Sequence, residues 1–470
     1  MRLSKIALLF AFMATGCQTP SVTQDNMQQS TVIDATKSIF PMEHYSQNSE
    51  EWIPSSAADY HQPVMDDATQ AKYFTRLKAN YFGTAPQDTS PWNEAYINQL
   101  KENGKAQTLL AHSVNEFLSP AAKYYGINFK ELSLEWKNKI KENASASLPD
   151  STAGRAIAVR ETLLRSLPTI DPAFNDPRQP GEGYPFDMLQ VAAIRPGTPL
   201  YIMGTSRDKA WRYVVSPAVQ GWVQSDDVAL TDGSFVTAWR KLSEERLGAF
   251  IKEPVSVNAD GFFYFIARPG TLLPLREQAA GLLAAIPVKQ ADGSAQIKWV
   301  SVGQDEVAAM PLAMTRANLA GIIKSMQGKQ YGWGDFNFYN DCSAELRSLL
   351  MPFGIFLPRN STSQAKTGRV VDLSQLSVAD RLSYLQKHGK PFTTLIHIDG
   401  HIMLYIGNAN FAGKEVPMTY QNLWGLRTQQ HPGRSIIGGS VFFPLLASYP
   451  ENSDLLSPAA KPLFGLAFIE

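Results

Sequence analysis

One internal thiol and a few imidazoles are the residues of this sequence best suited to covalent chemistry. Cys342 lies in Asn340-Asp341-Cys342-Ser343-Ala344-Glu345-Leu346, where a turn gives way to a helix. The chain has 2 cysteines in 470 residues, and the other, Cys17, closes an N-terminal segment. A thiol with no internal disulfide partner is free to act as a nucleophile, given a lowered pKa and a neighbouring base. The first turn of a helix supplies N–H groups that favour a thiolate and can hold an oxyanion. Asp341 or Asn340 is expected to cap that helix.

The base must be a histidine. His44 and His61 fall in or beside a polar N-terminal stretch, His112 sits in a helical segment without catalytic spacing, and His388 lies in a polar turn. His397 and His401 are the strong candidates, in Thr394-Leu395-Ile396-His397-Ile398-Asp399-Gly400-His401-Ile402-Met403-Leu404-Tyr405-Ile406-Gly407. Asp-Gly between alternating apolar runs predicts a two-residue hairpin turn. Ile398 then opposes His401, His397 opposes Ile402, and the two imidazoles point to opposite faces. Only one can meet Cys342, and spacing alone does not choose. An amide oxygen suffices to orient the imidazole, as in Cys-His-Asn sites. Gln421 is available on a following strand; Asn422, its rival, faces the other way.

These groups need a framework. From about 311, a helix beginning at Thr315 precedes the Cys342 helix, which should stop near Gly354. Extended runs follow at 393–398, 401–406, 415–423 and 436–443, an α+β order. A nucleophile helix packed on such a sheet is the arrangement of papain-like cysteine hydrolases. Upstream, residues 155–305 read as short strands separated by polar turns, as in two small SH3-like barrels in tandem. Their aromatic residues are expected mainly in cores, with Gly183-Tyr184-Pro185-Phe186-Asp187 as an exposed loop of the first barrel. Residues 66–148 have helical periodicity.

The expected fold is therefore multidomain: a helical N-terminal region, two small SH3-like β-barrels and a C-terminal papain-like α+β domain. The boundaries are a signal peptide at 1–17, a flexible tether at 18–50, the helical domain at 51–154, and barrels at 155–235 and 236–310. The catalytic domain spans 311–447, followed by a C-terminal extension at 448–470. Lys+Arg and Asp+Glu are both 43, a balance that argues against nucleic-acid binding.

The N-terminus has a basic start, a short apolar run and small residues before a break, the pattern of a secretory signal. Ala14-Thr15-Gly16-Cys17 resembles the bacterial lipoprotein processing site. That resemblance implies lipidation of Cys17, and Gln18 after it fits delivery to the periplasmic face of the outer membrane.

Gln330-Tyr331-Gly332-Trp333-Gly334, Asp341-Cys342-Ser343, Leu357-Pro358-Arg359-Asn360-Ser361 and Gly400-His401-Ile402-Met403-Leu404-Tyr405-Ile406-Gly407 occur in the order found in NlpC-type cell-wall cysteine peptidases. The resemblance covers about 312–445, and the organisation before it resembles the subgroup with a helical N-terminal region and two bacterial SH3-like domains. It implies that Cys342 is the nucleophile and His401 the base, with Gln421 as the third polar residue, where the family commonly has His. It further implies that Tyr331 lies near the oxyanion and cleft, that Asp341 reads the free amino end of a short peptide beside Ser343, and that Arg359, Asn360 and Ser361 line the cleft. Asn360 stands where Asp is common.

The implied reaction is hydrolysis of the bond between γ-D-glutamate and a diamino acid in peptidoglycan stem peptides, by a monomer with no metal or organic cofactor. Two other readings remain: a non-catalytic wall-binding scaffold, and thiol-dependent acyl transfer on the same fold.

Overall fold

The computed structural model describes residues 37–470 except Ala280, Ala412 and His431. The expected signal peptide, the lipidation site Cys17 and most of the expected tether lie outside the described residues. In the N-terminal region the long helices are Asp67–Phe82, Glu94–Glu102, Lys105–Leu118 and Leu134–Asn143. Asp66, Asn93 and Ser133 cap three of them by accepting N–H groups from Thr69, Ala95 and Trp136, each cap contributing ~1 kcal/mol. Their apolar faces cement the barrels. Leu100, Phe117 and Ile140 pack with Met203 and Trp222 of the first, and Leu77, Phe82 and Trp92 enter the core of the second.

The first barrel is a seven-stranded sheet running from Gly154–Ala158 to Val228–Leu230. A helix, Gly233–Glu245, leads into a five-stranded sheet carrying a separate hairpin, Val255–Ala259 with Phe262–Ala267. Trp222 and Trp239 are fully buried, as expected of barrel aromatics, whereas Phe262 and Phe263 are exposed.

The C-terminal unit comprises β1 (Lys37–Ile39), α1 (Arg316–Met326), α2 (Cys342–Leu350), β2 (Arg369–Asp372), α3 (Val378–His388), β3 (Thr394–Ile398), β4 (His401–Phe411), β5 (Lys414–Arg427), β6 (Arg434–Pro444) and β7 (Phe464–Phe468). One sheet has the order β1-β6-β5-β4-β3-β7-β2. Helix α2 lays Leu346, Leu349 and Leu350 against Leu395, Ile402, Leu404 and Tyr420; each buried leucine contributes roughly 2 kcal/mol. It runs into a 3-10 turn and stops at Gly354, whose φ is +82°. A Cβ there would lie 2.8 Å from the Cβ of Phe74, so the site tolerates only glycine.

Three expectations need correction. The tether does not extend to residue 50: β1 pairs in parallel with β6, and Phe40 and Tyr45 bury their rings against Phe443 and Tyr449. A polar average over that stretch hides two aromatic side chains large enough to anchor it. Residues 448–470 are no extension either, because β7 lies between β3 and β2 in the catalytic sheet. Its alternating Phe464, Leu466 and Phe468 complete a core. His388 ends α3 rather than occupying a turn, with its ring 4.4 Å from that of Tyr384.

Candidate active site

The β3–β4 hairpin forms in the expected register, Ile398 opposite His401 and His397 opposite Ile402, with Gly400 at φ +74°. Cys342 begins α2 and is 6% exposed. Ile402, one residue beyond His401, lies in the same buried cluster as Cys342. His401 Nε2 lies 2.6 Å from Gln421 Oε1.

The orientation of that amide follows from its neighbours. Thr419 Oγ1 donates its one proton to the Phe443 carbonyl at 2.7 Å. It can then only accept from Gln421 Nε2, at 2.8 Å. Gln421 therefore turns its oxygen to His401, which must carry its proton on Nε2 and keep a lone pair on Nδ1. Asn422 faces away as expected, donating to the Asn340 carbonyl at 2.9 Å and holding the turn before Cys342. His397 is half-buried and its Nε2 has no hydrogen-bond partner among the described residues.

The electrostatics depart from the expected helix-terminus thiolate. Burial, and then the Asp341 carboxylate, push the Cys342 thiol up to about 12, against the Ile402 N–H and Arg359. Burial pushes His401 down to about 4, opposed by its bond to Gln421. Both shifts favour a neutral thiol and a neutral imidazole. Burial is the larger cause in both cases; for the thiol it is joined by Asp341, whose Oδ1 accepts the Ser343 and Ala344 N–H groups at 3.0 and 2.9 Å.

Asp341 is also bound by Arg359 Nη1 and Nη2 at 3.1 and 2.8 Å and by the Gly334 N–H at 3.1 Å. Ser343 Oγ donates to the same carboxylate at 2.8 Å and accepts from Arg359 at 2.9 Å. Burial opposes ionisation of Asp341, yet Arg359 and these N–H donors hold its carboxyl below the usual range. With both oxygens saturated, Asp341 has no lone pair to offer a substrate amine. Asp341, Ser343 and Arg359 thus form a buried brace at the start of α2, and none of the three borders the cleft beside His401. Asn360 caps the short helix Ser361–Gln364, accepting from the Ser363 N–H at 2.9 Å; neither Asn360 nor Ser361 is among the residues around the cleft beside His401.

A second buried carboxyl supports α2. Glu345 accepts from Asn340 Nδ2 at 2.8 Å and from the Tyr420 hydroxyl. Burial pushes it up to about 7.

Beside His401 opens a cleft of about 340 Å³, with Tyr331, Trp333 and Trp424 on the catalytic side. Tyr331 borders this cleft; its hydroxyl stays protonated, because burial and the nearby Cys342 and Asp341 raise its pKa well above 10. The first barrel supplies Phe186, whose ring lies 6.0, 5.6 and 5.7 Å from Tyr331, Trp333 and Trp424. Two bonds seal this seam: the Ala193 N–H to Asp335 Oδ2 at 2.7 Å and Gln190 Nε2 to the Gly334 carbonyl at 2.9 Å. Gly334 has φ +66°, and a Cβ there would sit 2.3 Å from the Gln190 carbonyl. Sequence reasoning singled out the Phe186 loop but not its contacts; Asp335, Arg427, Arg434 and Lys461 carried no motif to mark them. Among the described residues no cluster of His, Cys, Asp and Glu could hold a metal ion.

Residues 172–224 match the SH3 domain of SH3b1 type, and residues 232–280 match the SH3 domain of SH3b2 type. A solved NlpC/P60 endopeptidase from Photobacterium damselae subsp. piscicida superposes with a TM-score of 0.80 at 26% identity, over 92% of this chain and 99% of that one. The chain has the architecture of the NlpC/P60 endopeptidases. An NlpC/P60 family protein from Bacillus cereus ATCC 10987 is a more distant likeness, at 13% identity and TM-score 0.44, covering 67% of this chain and 100% of that one. Gamma-D-glutamyl-L-lysine dipeptidyl-peptidase of Bacillus subtilis (strain 168) is 30% identical over 103 residues, 21% of this chain. The chain matches 33% of the length of that curated relative. In this NlpC/P60 architecture the cleft is a joint product of the catalytic sheet and the first barrel.

Proposed function

We propose that the protein is a cysteine endopeptidase that hydrolyses the γ-D-glutamyl–diamino acid bond of peptidoglycan stem peptides. The observation that carries this reading is the chain of bonds Phe443–Thr419–Gln421–His401 at the edge of a cleft, with Cys342 in the same buried cluster as Ile402, the residue after His401. Cys342 is the nucleophile, His401 the base and Gln421 the residue that fixes its tautomer. The names of the Photobacterium and Bacillus subtilis proteins support the reaction class and the bond.

The thiol passes its proton to His401 as sulfur attacks the glutamyl carbonyl. The Cys342 amide, which Asp341 does not take, and the Tyr331 hydroxyl are suited to stabilise the oxyanion. Collapse forms a thioester and breaks the C–N bond, His401 protonating the leaving amine. Water, deprotonated by His401, then releases the acid and restores the thiol. The Phe186 wedge supports restriction of the cleft to short peptides.

The same reading has Cys17 lipidated and the molecule held on the periplasmic face of the outer membrane; the residue order at 2–17 supports it. Metabolic labelling with palmitate should mark the full-length protein and not Cys17→Ala.

Mass spectrometry of a γ-D-Glu-diaminopimelate tetrapeptide incubated with the enzyme should show two products with the wild type and none with Cys342→Ala. Equal turnover by both proteins would remove the mechanism. Peptide exchange on adding an amine acceptor would instead favour acyl transfer.

A further inference from the structure

Three cations line the cleft without an anionic partner. Arg427 and Arg434 stand directly opposite each other on β5 and β6, and Lys461 borders the same cleft. Like charges directly opposed on antiparallel strands destabilise the pair. Arg165, Arg268 and Arg359 are paired with carboxylates of Asp187, Glu161 and Asp341, and the buried Arg381 is met by a set of backbone carbonyls. Among the described residues, no carboxylate lies within ion-pair distance of Arg427, Arg434 or Lys461.

Arg434 is the most exacting of the three. Its Nε is buried without an acceptor, and Nη1 reaches only the Gly425 carbonyl, at 3.4 Å. The first barrel approaches it so closely that a Cβ on Gly181 would sit 2.3 Å from Nη2. Burial and the neighbouring Arg427 lower its pKa to about 10, and burial with both arginines lowers that of Lys461. The nearest acids on the cleft are Glu182, bound by Asn175 at 2.9 Å, and Asp399 in the hairpin turn. The mechanism above uses none of these cations.

We propose that Arg427, Arg434 and Lys461 form a carboxylate subsite that grips an anionic group of the peptide whose bond Cys342 attacks. The proposal rests on the hydrolase reading. Guanidinium forks suit a carboxylate, which would relieve the repulsion between opposed strands. A stem peptide offers two sources: the α-carboxylate of the glutamate, and the extra carboxylate that diaminopimelate has and lysine lacks. The subsite is thus a device for choosing among wall chemistries that differ by one charge.

The test uses the full chain carrying Cys342→Ala, which holds peptide without cleaving it. Calorimetry would measure L-Ala-γ-D-Glu-meso-diaminopimelate, its glutamate α-amide, and the peptide with lysine in place of diaminopimelate. One charge-deleted peptide is expected to bind about tenfold more weakly, and which one identifies the carboxylate. Adding Arg434→Gln, or Lys461→Gln should that variant misfold, should erase most of the difference. In the cysteine-intact enzyme, Lys461→Gln should raise KM more than it lowers kcat. Equal binding of all three peptides, or an undiminished difference in both cation variants, overturns the subsite and leaves the hydrolase standing. Failure to bind any stem peptide overturns both.

Discussion

Thr419 never touches the reacting atoms, yet it decides which nitrogen of His401 is basic. Its proton is committed to the Phe443 carbonyl, so Gln421 can turn only its oxygen to the imidazole. Thr419→Val removes the acceptor for the Gln421 amide and lets that amide flip. We expect a roughly 10-fold to 100-fold fall in kcat with little change in KM, checked by steady-state kinetics, whereas Thr419→Ser should keep the activity. His401→Ala should abolish turnover and His397→Ala should leave most of it, since His397 opposes Ile402 and contacts neither Gln421 nor Thr419. Acidity offers another check. Burial sets His401 at about 4, so the acid limb of kcat/KM should fall near pH 4 and not near the ordinary 6.5. The hairpin register and the candidacy of Gln421 were legible in the sequence, because strand alternation is local. The neutral state of the thiol was not. It depends first on tertiary burial and then on the Asp341 charge, and a capping residue looks the same in sequence whether its charge is helpful or harmful to the next side chain.

Secondary-structure elements carried the fold in proportion to their periodicity. Helix α1, helix α2 and strands β3 to β6 lie close to where apolar spacing put them, with ends extended by a few residues. Strands β1 and β7 escaped because both are short and find their partners far along the chain, β1 on β6 and β7 on β2 and β3. No local signal reports such pairing. At the cleft the decisive element is the loop bearing Phe186, pinned at its base by Asp187. That carboxylate binds Arg165 at 2.7 Å and accepts the Ala173 and Leu189 N–H groups. Phe186→Ala should therefore leave the loop in place and open the cleft. Relative turnover of an N-acetylated peptide should rise several-fold over that of the free-amine peptide, measured as a ratio of kcat/KM values. An unchanged ratio would mean that the aromatic wedge does not restrict the amino end.

For the molecule as a whole, two buried ionisable groups oppose each other in pH dependence. His401 is depressed from 6.5 to about 4, so its contribution is present above pH 6.5 and is lost as pH falls through about 4. Glu345 is raised from 4.5 to about 7, so its contribution is present below pH 4.5 and is lost as pH rises through about 7. Each spans about 3 kcal/mol. Their slopes nearly cancel between those limits. Glu345→Gln removes one side: its Tm relative to the wild type should climb between pH 4.5 and 7.5, as read by calorimetry.

The seam at Asp335 has a broader consequence. Cutting the chain at the start of the catalytic domain would strip Asp335 of the Ala193 N–H, Gly334 of its Gln190 contact and β6 of its parallel edge partner. The catalytic part is therefore not an interchangeable module. Recombination that joined it to a foreign targeting domain would have to bring the first barrel along, so the two should be inherited as one evolutionary unit.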